Sequence, residues 1–82
     1  MNIEQLRREI DAIDRELIFL LDKRFNITNN IGIAKKKENI KVLNTSREQI
    51  VLDKTKIADN HIAIYNVYLE ILKISKEQQH EK

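Results

Sequence analysis

An arginine within an apolar helical repeat is the feature of this sequence that points most directly to chemistry. Apolar residues recur at alternating steps of three and four between Ile3 and Ala34, and Arg24 interrupts them between Leu20 and Ile27. Such spacing is typical of a helix that buries one stripe, and a guanidinium on a buried stripe is costly unless an anion neutralises it. Arg24 therefore predicts either an ion pair with a carboxylate elsewhere in the chain or a binding site for an anionic ligand.

A second cation, Lys35, shares this face of the helix. It lies eleven residues after Arg24, which is about three helical turns and roughly 16 Å along the axis. If the two long side chains reach toward each other, the distance between their charged groups could be as short as a small dianion. Lys35 also opens the charged run KKKENIK, and such runs are usually solvated, so a plain surface role is the alternative.

Five other polar residues are candidates for the same site: Arg7, Arg47, Glu48, Ser75 and Gln79. Arg47 and Glu48 adjoin the expected N-cap region of a second helix at residues 44–46. Ser75 and Gln79 are one turn apart, where the apolar stripe of a third helix becomes polar. Each of them alone more often lies on the surface or caps a helix. Together with the two cations, however, they predict a polar site inside a helical bundle.

The composition predicts an all-α protein with three helices, one long and two shorter. The 82 residues contain no proline, one glycine and many Leu, Ile, Lys and Glu, which favours helix almost throughout. A first helix begins near Ile3 and runs for roughly 36 to 40 residues. A short second helix, with N-cap candidates at residues 44–46, continues to about Lys56. A turn at residues 58–60 then leads to a third helix that includes His61.

The first helix is too long for one small chain to cover. A helix of that length extends about 55 to 60 Å, whereas a compact domain of this size has a radius of gyration of only about 12 Å. We therefore expect a homodimer, in which residues 1–82 of each chain form a single domain. Arg7 lies roughly 25 Å from Arg24 along the same helix, so one copy cannot bring both to one small ligand, although an antiparallel partner could.

The composition also disfavours several classes of function. No cysteine is present, and His61 and His80 are too far apart in sequence to suggest a metal pair, so no metal and no cofactor is expected. No apolar run approaches the length of a membrane span, and the charged N-terminus lacks the apolar core of a signal peptide, so we expect a cytoplasmic protein. With a net charge of +2 and interspersed acidic residues, neither nucleic acid nor a membrane is an expected partner.

Five short motifs, taken in order, resemble one protein family along nearly the whole chain. They are L-R-x-x-I-D-x-I-D over residues 6–14, L-L-x-x-R over 20–24, I-G-x-A-K over 31–35, R-E at 47–48 and S-x-x-x-Q over 75–79. No single motif is specific, but their order on one long and two shorter helices is similar to the all-helical chorismate mutases. The resemblance implies an intertwined homodimeric bundle that converts chorismate to prephenate by a Claisen-type rearrangement in phenylalanine and tyrosine biosynthesis.

The resemblance implies which residues would bind the two carboxylates of chorismate. Arg24 of one protomer and Arg7 of the other would hold them, and Arg47 and Ser75 would assist. Asn44 stands where relatives can have aspartate, so a backbone contact is its expected contribution.

The remaining candidates would act on the reacting atoms. The resemblance implies that Lys35 and Gln79 donate to the ether oxygen and that Glu48 accepts a hydrogen bond from the ring hydroxyl, so these three and Arg24 are the expected catalytic residues. An intramolecular rearrangement needs no nucleophile, metal or redox cofactor. It is helped by holding the substrate in its reactive conformer and by donors where negative charge grows.

Two other functions are compatible with these residues. An isochorismate pyruvate lyase would use a similar cationic pocket, although Glu48 favours the mutase because the lyases tend to lack a carboxylate there. A non-catalytic helical dimerisation or regulatory module is the other alternative, but a plain coiled coil has no need of an arginine in its apolar repeat. The polar C-terminus is compatible with a free enzyme or with part of a bifunctional protein.

Overall fold

The computed structural model describes residues 1–81, in which three α-helices and one short 3₁₀ helix follow one another. α1 covers Ile3–Glu38, α2 covers Thr45–Asp53, the 3₁₀ helix covers Lys54–Ile57 and α3 covers His61–His80. The predicted all-α class with one long and two shorter helices is therefore confirmed. Within residues 1–81 no helix combines the length and the hydropathy that crossing a membrane requires.

Both ends of α1 are fixed by local hydrogen bonds. At its start Asn2 and Gln5 form a capping box, in which each side chain accepts from the other's backbone N–H at 3.0 and 2.8 Å. At its end Asn39 adopts the left-handed conformation with φ of 58°, which asparagine tolerates better than most residues. The Ile40 N–H then reaches the Lys35 carbonyl at 2.8 Å, which completes a Schellman motif. The long helix thus ends within one turn of Lys35.

α2 begins where the sequence predicts and ends in a tighter turn. Asn44 is its N-cap, because its side-chain oxygen accepts from the Arg47 N–H at 3.0 Å. The predicted end near Lys56 falls inside the 3₁₀ helix rather than in α2, since the last turn tightens after Asp53. Such tightening is common at helix ends, and the Thr55 hydroxyl donates to the Leu52 carbonyl at 2.7 Å in this turn.

The interior of a single chain is small and unusually polar. α3 contacts α1 along one side, and α2 and the 3₁₀ helix along another. Among residues 1–81 the buried hydrophobic side chains are Val51 and Ile71, whereas Thr28, Thr55 and Ser75 are buried polar ones. Gly32 is also buried in α1. One chain therefore buries too few apolar groups to account for a stable fold by itself.

Most of the apolar repeat of α1 is exposed in the single chain. Ile10, Ile13 and Leu17 are 55%, 60% and 50% exposed, respectively. The chain measures 54 × 23 × 15 Å, and its radius of gyration is 15.7 Å, well above the roughly 12 Å of a compact domain of this length. The first half of α1 consequently extends beyond the part that α2 and α3 cover.

Candidate functional site

A cleft of 340 Å³ lies where the second half of α1 faces α2 and α3. Its size suits a small organic molecule. Seven of the eight residues predicted for the site line this cleft: Arg24, Lys35, Asn44, Arg47, Glu48, Ser75 and Gln79. Apolar side chains complete the wall, namely Ile27, Ile31, Val42, Val51 and Leu72, together with Thr28 and Lys76. The structure thus brings together residues that are far apart in the sequence.

Arg24 is held at the cleft wall by contacts that leave its positive charge unneutralised. Its Nη1 donates to the Ser75 hydroxyl oxygen at 3.0 Å, and its guanidinium carbon lies 5.9 Å from the centre of the Tyr68 ring. The Ser75 hydroxyl in turn donates to the Ile71 carbonyl at 2.7 Å. Among residues 1–81 no carboxylate forms a salt bridge with Arg24. A half-buried guanidinium that is oriented but unpaired is suited to binding an anion.

Lys35 brings a second cation into the same cleft. Its Nζ donates to the Val42 carbonyl at 2.8 Å, which ties the end of α1 to the loop that precedes α2. An ammonium group has three protons, so this contact leaves donor capacity for a ligand. Lys35 is half-buried, whereas Lys36 and Lys37 beside it are exposed. The first lysine of the charged run is therefore distinct from the others, as its helical position predicts.

Glu48 supplies the carboxylate of the cleft. One of its oxygens, Oε1, accepts from the Lys76 ammonium at 3.3 Å. The other, Oε2, is buried and has no hydrogen-bond partner among residues 1–81. An acceptor without a donor is costly in a folded protein. A bound molecule with a hydroxyl group would remove that cost.

Gln79 and Asn44 line the cleft in different ways. The side-chain oxygen of Gln79 is buried and lacks a hydrogen-bond partner within residues 1–81. The Asn44 side-chain oxygen already caps α2 through the Arg47 N–H, and its backbone carbonyl accepts from the Glu48 N–H at 3.1 Å. Its backbone N–H and side-chain NH2 group are the donors that a ligand could use. Arg47 itself is exposed at the rim of the cleft.

Arg7 is the one predicted site residue that does not line the cleft. It lies on the exposed first part of α1, 17 residues before Arg24, which corresponds to about 25 Å along the helix. A single chain therefore cannot place Arg7 and Arg24 on one small ligand.

Lys76 is a cleft residue that the sequence reasoning missed. It follows Ser75 and belongs to a set of cleft residues on α3 spaced at steps of three and four: Leu72, Ser75, Lys76 and Gln79. This spacing places all four on one helix face, so the helical period alone could have identified Lys76. The motif S-x-x-x-Q leaves its position unspecified.

One carboxyl group with a shifted pKa lies outside the cleft. Asp53 accepts from the Gln49 side-chain amide at 2.9 Å and from Lys56 at 3.2 Å. The hydrogen bond from Gln49, followed by that from Lys56, lowers the pKa of Asp53. These contacts are exposed and belong to the end of α2, so they concern the helix terminus rather than the site.

Comparison with known proteins agrees with the geometry of the cleft. Residues 6–80 match the model of the family described as chorismate mutase type II. The chain belongs to this family. A chorismate mutase type II domain thus covers nearly all of the sequence, including α1 from Leu6, both shorter helices and all eight predicted site residues.

A curated relative shows the context in which such a domain occurs. The bifunctional chorismate mutase/prephenate dehydratase of Aquifex aeolicus (strain VF5) is 30% identical over 78 residues. The matched region covers 85% of this chain and 22% of that protein. The chain therefore spans about a fifth of the length of this chorismate mutase relative.

Proposed function

We propose that this chain is a chorismate mutase that converts chorismate to prephenate on the route to phenylalanine and tyrosine. The observation that carries the proposal is the cleft, which is lined by two cations from α1, Arg24 and Lys35, and by Glu48, whose Oε2 has no hydrogen-bond partner among residues 1–81. Chorismate carries two carboxylates, an ether oxygen and a ring hydroxyl. The cleft offers a complementary group for each kind of atom.

The proposed chemistry is positioning followed by electrostatic stabilisation. The reaction breaks one carbon–oxygen bond and forms one carbon–carbon bond within a single molecule. Arg24, oriented by Ser75, binds a carboxylate and holds the substrate in its compact conformer. Lys35 and Gln79 donate to the ether oxygen, on which negative charge grows as its bond to carbon breaks. Glu48 accepts from the ring hydroxyl and fixes the orientation of the ring.

The proposed enzyme is a homodimer of this chain. A compact monomer of 9.7 kDa has an accessible surface of about 5,100 Å², whereas the single chain exposes 6901 Å². The excess of about 1,800 Å² lies within one protomer's share of an obligate interface, which is roughly 1,000 to 2,500 Å². The exposed repeat of α1, which includes Ile10, Ile13 and Leu17, is the surface that the partner would cover.

In this dimer Arg7 would complete the site of the other protomer. It lies too far from Arg24 to serve the same ligand within one chain. An antiparallel copy of α1 reverses the direction of the helix and so could place the partner's N-terminal half beside the cleft. Arg7 would then bind the second carboxylate of chorismate, with Arg47 at the rim.

The direct test is conversion of chorismate by the purified protein. We expect chorismate to disappear and prephenate to accumulate without release of pyruvate. Release of pyruvate from isochorismate, with no prephenate from chorismate, would identify a lyase instead. If a well-folded dimer leaves both substrates unchanged, the chain is a non-catalytic module and the proposal is wrong.

We predict that the rate depends little on pH near neutrality. The side-chain amide of Gln79 has no proton that titrates, and lysine side chains ordinarily stay protonated between pH 6 and 8. We therefore expect kcat to change by less than about twofold across that range. Initial rates in a series of buffers at constant ionic strength measure this. A tenfold loss across the range would contradict the role of Gln79 as a neutral donor.

Residues 1–82 are proposed to form one mutase domain, either as a free enzyme or joined to another activity as in the bifunctional relative. A cytoplasmic location and the absence of a metal or cofactor stay predictions from the sequence. Neither is needed to test the role of the cleft.

A further inference from the structure

Lys76 has no role in the chemistry described so far, although it lines the cleft. Its ammonium lies 3.3 Å from Glu48 Oε1, and its side chain is 37% exposed, compared with 23% for Glu48. The two residues are 28 positions apart and belong to different helices, α3 and α2. The ion pair therefore joins two elements at the cleft wall rather than neighbouring turns of one helix.

We infer that Lys76 is a positioning residue that orients the carboxylate of Glu48 toward the substrate hydroxyl, an inference that rests on the proposed function. A carboxylate has two oxygens, and rotation about its last bond exchanges them. Lys76 occupies Oε1. Oε2, which is buried and has no protein donor among residues 1–81, is then the oxygen left to accept from a ligand.

The charge of Lys76 also matters for binding a dianion. A bare carboxylate in a partly buried cleft repels a ligand that carries two negative charges. The nearby ammonium offsets that repulsion while leaving one carboxylate oxygen free. Arg24 and Lys35 can therefore attract the substrate without opposition from Glu48. Lys76 does this through Glu48 and is not expected to touch the substrate itself.

The test measures the effect of Lys76→Met on kcat/KM in two proteins, one with Glu48 and one with Glu48→Gln. Loss of one charge-assisted hydrogen bond is expected to lower kcat/KM by about 10- to 100-fold when Glu48 is present. In a Glu48→Gln background the same substitution is expected to change kcat/KM by less than about twofold, because the carboxylate that Lys76 orients is gone. Lys76→Arg, which keeps a cationic donor, is expected to restore most of the activity.

Lys73→Met is the matched control, since Lys73 lies on α3, is exposed and does not line the cleft. An equal loss from Lys76→Met in both backgrounds would overturn the inference, because Lys76 would then act independently of Glu48. Full activity of Lys76→Met in the otherwise unchanged protein would overturn it as well. If the unchanged protein does not convert chorismate, the proposed function itself fails, and the two failures are thus distinguishable.

Discussion

Replacement of Arg24 by alanine is expected to lower kcat/KM for chorismate by about a thousandfold. Truncating one member of a desolvated charge pair typically costs about 2 to 5 kcal/mol, and about 4 kcal/mol corresponds to a factor of a thousand. Arg24 is half-buried, has no carboxylate partner within residues 1–81 and is held by Ser75 at 3.0 Å. The surrounding contacts therefore orient the Arg24 guanidinium and leave it able to bind an anionic group of the substrate.

Two companion variants separate binding from folding in this experiment. Lys23→Ala removes a neighbouring exposed cation that does not line the cleft, and we expect it to retain nearly full activity. Arg24→Lys keeps the charge but loses the planar guanidinium, so an intermediate loss of about 10- to 100-fold is expected. If Arg24→Ala keeps its helical circular dichroism and more than a tenth of the activity, Arg24 does not hold the substrate.

Replacement of Lys35 by alanine is expected to lower kcat by about 100- to 1000-fold. Removing one donor from a site that stabilises developing negative charge typically has an effect of about this size. Because that charge is greater in the transition state than in the bound substrate, kcat should fall much more than KM rises. Steady-state kinetics of the variant measure both constants.

The structural contact of Lys35 calls for its own control. Lys35 also donates to the Val42 carbonyl, so its loss loosens the loop before α2. Lys35→Gln keeps a neutral donor on a shorter side chain and is expected to retain more activity than the alanine variant. Lys36→Ala removes the neighbouring exposed lysine and should leave kcat unchanged. A rise in KM with kcat unaltered would mean that Lys35 binds the ground state and the transition state equally and does not stabilise the developing charge.

Much of the fold follows from the sequence because helix signals are local. The step of three and four residues from Ile3 onward locates α1. The N-cap of α2 is Asn44, one of the three candidates at residues 44–46. The tight turn after Asp53 was harder to foresee, since Thr55 can cap a helix end or continue the helix with similar local chemistry. Ends of helices depend on such small differences, whereas the long periodic segments do not.

The cleft was predictable where a residue breaks a pattern. Arg24 stands out because it lies on an apolar stripe, and Lys35 because it returns to the same face. Lys76 was missed because a lysine near the polar end of α3 breaks no pattern. Its proposed role depends on the distance to Glu48 in another helix, and no local rule specifies that distance. Which side chains of two different helices meet depends on the tertiary structure, and the sequence of one helix does not reveal it.

The proposal that each active site is built from two chains is tested most directly by mixing two inactive variants. In a dimer of Arg7→Ala with Arg24→Ala, one site has both substitutions and the other has neither. Random reassociation of equal amounts makes half of the dimers mixed, so we predict recovery of about a quarter of the unmodified activity. Each variant alone is expected to be nearly inactive, and sedimentation should show dimers throughout. A mixture no more active than the average of its two components would contradict a site built from two chains.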